Sequence, residues 1–90
     1  IILNMDIDNL IDNIKAKLLK NNLIENVIVE DKTYLHKKHK SYDKSKFHIK
    51  LTIFSNNLKK VSKIEASKEI HKILKDEIKV YIHSIQILFQ

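Results

Sequence analysis

A chain of 90 residues without a single glycine or proline has few ways to punctuate itself. No Gly-, Pro- or Ser-rich stretch marks a linker, so residues 1–90 read as one domain. Residues 1–5 are expected to be disordered or left over from truncation or processing, with Met5 a candidate natural start. A chain of this size buries roughly two-thirds of the surface its unfolded form exposes, so one modest core must carry the fold. The missing glycines also exclude chemistry. Walker loops, dinucleotide fingerprints and the GxxG clamp of KH domains all need glycine where backbone approaches phosphate.

Cysteine is absent as well. That removes a disulfide framework, a thiol nucleophile, a Cys-ligated zinc finger and a self-contained iron–sulfur site, and it favours an intracellular location. No apolar run approaches the ~20 residues of a membrane span, and no secretory or transit peptide is visible, so no membrane role is expected. The 17 cationic residues, all lysine, outnumber 11 acidic ones and give a net charge of +6. Such a balance permits a weak, salt-sensitive attraction to nucleic acid or to an acidic partner.

Ile7, Leu10, Ile11, Ile14 and Leu18 recur at helical spacing and predict a helix from about Asp6 to Lys20, capped by Asp6 or Asp8 and stopped at Asn21-Asn22. Val27-Ile28-Val29 reads as a short strand. A long polar loop rich in lysine and histidine follows from Asp31 to Lys46. Phe47, Ile49, Leu51 and Ile53 then alternate with His48, Lys50, Thr52 and Phe54, a strand of period two. A short helical turn is expected near Leu58–Val61. Ser62 and Glu65 are spaced as in a capping box, ahead of a helix expected from about Lys63 to Glu77 with Ile70, Ile73 and Leu74 on its apolar stripe. From Val80 to Phe89 alternation returns, and Tyr81, His83, Ile85, Ile87 and Phe89 are expected to face the core. The implied architecture is α+β, in the order α-β-β-α(short)-α-β. A three-stranded mixed sheet packs on the helices, its first two strands antiparallel and its third parallel to the second through a right-handed crossover. The outline is KH-like (type II) without a GxxG loop.

Several segments resemble the BolA family. His48-Ile49-Lys50-Leu51-Thr52-Ile53-Phe54-Ser55 is similar to the family's HFKVxxVS strand, and Ile82-His83-Ser84-Ile85-Gln86-Ile87 to its VHALxI strand. The residues from Asn56 to Ile78 fit its loop and long helix without a gap. Asp31-Lys32-Thr33-Tyr34-Leu35-His36 is similar to its DxSxxH run. The family's RHR triplet falls on Ala66-Ser67-Lys68, which keeps only one basic residue, and its loop glycine falls on Lys60.

The resemblance implies a partner and a cofactor. BolA proteins pair with monothiol glutaredoxins carrying a CGFS active site, and the two share a [2Fe–2S] cluster with glutathione. The implied metal ligands are His83 and His36, with His39 as the alternative to His36. None of this is bound by the isolated chain, which is expected to be a monomer. Imidazole can replace thiolate on one iron, as in Rieske centres. Because it binds metal only when neutral, cluster sharing should weaken as pH falls below about 6.5. His48 is read as structural or partner-facing, and His71 as a packing residue on its helix. Lys37, Lys38, Lys40 and Lys68 are candidate contacts for a partner or nucleic acid. No side chains are arranged as nucleophile, base and oxyanion donor, so no enzyme is expected.

The function that follows is a BolA-like adaptor in iron–sulfur cluster maturation, trafficking or iron regulation. By the same resemblance, a histidine rather than a cysteine as loop ligand looks like the family's mitochondrial and bacterial type, so a mitochondrial or bacterial cytoplasmic location is expected ahead of the cytosol. The rival reading is a nucleic-acid-binding transcriptional regulator built on the KH-like outline.

Overall fold

Apolar residues at helical and alternating spacing build the layers in the order expected. The computed structural model describes residues 6–33 and 46–90. Helix α1 spans Ile7–Leu19 and is capped by Asp6, whose carboxylate accepts the Asn9 amide hydrogen at 2.8 Å. Strand β1 (Asn26–Asp31) pairs antiparallel with β2 (Phe47–Phe54), and β2 pairs parallel with β3 (Ile82–Phe89). Helix α2 (Asn56–Lys60), α3 (Lys63–Ile73) and α4 (Lys75–Val80) form the crossover between the two parallel strands. No described residue has a positive φ, as suits a chain without glycine.

The core lies between the helices and one face of the sheet. Leu10, Ile14 and Leu18 of α1 and Ala66 and Ile70 of α3 pack over Val27, Val29, Ile49, Leu51, Ile53 and Ile87. Central Leu51 faces Val29 on one side and Ile87 on the other, and is fully buried. Each such side chain contributes roughly 1.5–3 kcal/mol by leaving water.

Three expectations need correction. The first strand runs on to Asp31, because Glu30 and Asp31 still find partners in Lys50 and Ile49. The helix expected over residues 63–77 is two helices. Its capping serine is in place, with Ser62 Oγ accepting the Glu65 amide hydrogen at 3.1 Å, but α3 ends at Ile73. Leu74, at φ −99° and ψ 20°, turns the chain while staying fully buried. Helix α4 then carries Glu77 to a position only 5% exposed, where its carboxylate pairs with Lys17 of α1 at 2.7 Å. Finally, Val80 belongs to α4 and Tyr81 caps it, so the last strand starts at Ile82.

Candidate functional site at the start of the last strand

The pairing of β2 with β3 slips where it begins. Phe47 stands opposite Ile82, yet the next residue, His48, stands opposite Ser84. His83 is therefore one residue too many, a β-bulge of the kind that re-aims side chains beside functional sites. The bulge resets the alternation. Ile82 is buried and Ile85 packs on the core, while His83 and Ser84 between them are both exposed. This overturns the expectation that His83 shares the core-facing row with Ile85, whereas Tyr81, the residue that caps α4, does pack against the core as expected. That reading carried the period of two past an inserted residue, which reverses its phase.

His48 lies on the open face of the sheet with Lys50 and Thr52, as expected, but is only 5% exposed. Its Nδ1 is 2.6 Å from Ser84 Oγ. Its ring meets that of His83 edge to face, with centroids 4.9 Å apart and planes at 80°. The backbone of His48 is held as firmly: its N–H donates to Thr33 Oγ1 at 3.1 Å, and its carbonyl accepts from Lys32 N at 2.8 Å. Asp31 completes the arrangement. Its Oδ1 accepts the Thr33 amide hydrogen at 3.0 Å and the Thr33 hydroxyl as well, an Asx-type turn. The run Asp31-Lys32-Thr33 thus fixes the chain leaving β1 against His48, and Lys46 lies two residues before His48. Thr33 and Lys46, the described residues that flank 34–45, thus both lie close to His48, whose ring meets that of His83 edge to face.

Of the expected site residues, His83 stands at this junction. His36, His39, Lys37, Lys38 and Lys40 lie outside the described residues. Lys68 is exposed on α3, where it lines an apolar groove of about 540 Å³ with Lys63, Ile64, Ser67 and His71. His71 is exposed rather than packed, and its Nδ1 donates to the Ser67 carbonyl one turn back at 2.8 Å. Among the described residues no group of three or more His, Asp or Glu is placed to hold a metal ion. His83 by itself offers a single exposed imidazole. The sequence reading missed Ser84 and Thr33, and missed that His48 supports His83. The Asp-x-Thr spacing was the one available signal for Thr33.

Among the described residues no helix is long and apolar enough to cross a membrane. A search of curated proteins finds no significant sequence match. Among solved structures, the BolA domain of SufE1 from Arabidopsis thaliana is 29% identical, with a TM-score of 0.73, covering 89% of this chain and 88% of its own. BolA1 from Arabidopsis thaliana shares the fold at 20% identity, with a TM-score of 0.74 and 92% of each chain covered. The family model for BolA-like protein matches residues 19–90, which take in the whole sheet and the bulged histidine. With four-fifths of its length accounted for in this way, the chain belongs to the BolA-like protein family.

Proposed function

We propose that this protein is a non-catalytic adaptor that pairs with a monothiol glutaredoxin and completes a shared [2Fe–2S] cluster through His83. A histidine of the 34–45 connection, His36 first and His39 as its alternative, serves as the second ligand. The placement of His83 carries the reading: an exposed imidazole on a bulge, backed edge to face by His48, whose backbone Thr33 holds. Exposure leaves the ring open to iron held by another protein. The His48 ring, fixed by Ser84, restricts the directions in which the His83 ring can turn. His36 is three residues beyond the anchored Thr33, so its Cα lies within about 11 Å of that anchor, whereas His39 has a tether of about 21 Å.

Having no cysteine, the chain supplies only nitrogen ligands, and the partner's cysteine and glutathione supply the sulfur. The imidazoles raise the potential of the cluster above that of an all-thiolate centre. Neutral rings are needed, so assembly weakens in acid. The test mixes the protein with a monothiol glutaredoxin, glutathione, ferrous iron and sulfide, and records visible absorption and circular dichroism. A new spectrum is expected with the wild type, altered or lost with His83→Ala. His36→Ala and His39→Ala then separate the two candidates for the second ligand. A glutaredoxin spectrum indifferent to the wild-type protein would overturn the reading.

A further inference from the structure

None of the 17 lysines lies beyond Lys79. Among the described residues β3 is an edge strand of eight residues with no Lys, Asp, Glu or Pro, in contrast to the opposite edge, where β1 ends in Glu30 and Asp31. Charges and prolines are the usual protection of an open edge, and β3 lacks both. Past the bulge its pairing with β2 is regular. Gln90 N donates to the Ile53 carbonyl at 2.8 Å, and its own carbonyl accepts from Ser55 N at 3.1 Å. By the period of two, the backbone groups of Ser84, Gln86 and Leu88 also turn toward β2, while those of Ile85, Ile87 and Phe89 point away from the sheet.

At the C-terminal end of the same strand, opposite to His83, Leu58, Val61, Leu88 and Phe89 form an open groove of about 450 Å³. Exposed Lys59 and Lys63 stand at its rim. We propose that the β3 edge and this groove form a docking site for an extended acidic segment of a partner protein. The segment adds to the sheet as a fourth strand beside Ile85–Phe89. Its backbone takes the outward-pointing amide and carbonyl groups, one apolar side chain enters the groove, and its carboxylates meet Lys59 and Lys63. Charge selects this occupant over a second copy of the chain, which would bring another +6 to the contact. The site is independent of His83 and needs no iron.

The test titrates the isotope-labelled full chain, without metal, with a capped octapeptide alternating valine and glutamate and with its valine–lysine counterpart. The glutamate peptide is expected to slow amide exchange at Ile85, Ile87 and Phe89 and to bind at least about tenfold more tightly at low salt than the lysine peptide. The double variant Lys59→Glu/Lys63→Glu changes only exposed positions, keeps the fold, and should abolish that preference. Equal affinity for both peptides, protection appearing at β1 instead, or self-association that protects the same amides without peptide would each overturn the proposal.

Discussion

His48 Nδ1 and Ser84 Oγ lie 2.6 Å apart across the parallel β2–β3 pairing, directly beside the residue that the bulge leaves over, His83. This contact joins two strands at the point where their register slips, and it fixes the ring on which His83 leans at 4.9 Å. The proposed ligand and a contact between two strands are therefore joined at one position.

Removing the hydroxyl tests this contact. Ser84→Ala is expected to cost about 1 kcal/mol in urea unfolding, the usual worth of one such hydrogen bond. An unchanged midpoint would mean that the His48–Ser84 contact contributes nothing.

Thr33 accepts from the His48 amide and donates to Asp31, and valine of the same shape can do neither. Thr33→Val should destabilise by about 1–2 kcal/mol and speed hydrogen exchange at the His48 amide. The far end of the sheet, at Ile53, should exchange as before. Uniformly faster exchange would contradict a local anchoring role.

Much of this fold is legible in the sequence because its periods are clean. Leu10, Ile14 and Leu18 mark a buried helical stripe, Ile49, Leu51 and Ile53 a buried strand face, and Ser62 a helix start; all three stand as read. Two features escaped for physical reasons. A bulge is a property of two strands together, so nothing local to Ile82-His83-Ser84 announces that the phase reverses there. The bend at Leu74 likewise depends on a partner distant in sequence, since α4 carries Glu77 to Lys17, sixty residues away in the chain. His83 stood out in the sequence through resemblance, but its support by His48 required the register.

The Lys17–Glu77 pair gives a stability prediction with a pH window. The hydrogen bond to Glu77 is the main cause that raises the Lys17 ammonium above its ordinary value of 10.5, against a smaller opposing effect of burial. Stability from the pair is therefore fully present below about pH 10.5 and is lost as pH rises through the raised value. Lys17 is itself 37% exposed, so solvent screens part of the attraction. Lys17→Met should cost about 1–3 kcal/mol at neutral pH, chiefly by leaving the buried Glu77 carboxylate without its cation. The gap between variant and wild type, followed by thermal unfolding, should shrink above pH 10.5. A gap constant into strong alkali would contradict the ion pair.

Leu51 is fully buried in the central strand between Val29 and Ile87. Leu51→Ala should cost about 2–5 kcal/mol through lost burial and the cavity left behind. In a domain of this size each kcal/mol corresponds to a fall in Tm of about 4–8 °C. A loss below about 1 kcal/mol would show that the helices collapse onto the gap.

In the proposed adaptor, His83 binds iron shared with a partner. Pulsed electron paramagnetic resonance of the reduced cluster in the complex with a monothiol glutaredoxin reads that bond, because an imidazole ligand couples its nitrogen to the unpaired spin. Histidine-nitrogen couplings are predicted in the wild-type complex, with one set missing in His83→Ala. A reduced cluster whose nitrogen couplings are absent, or are the same with and without the His83 ring, would contradict the claim.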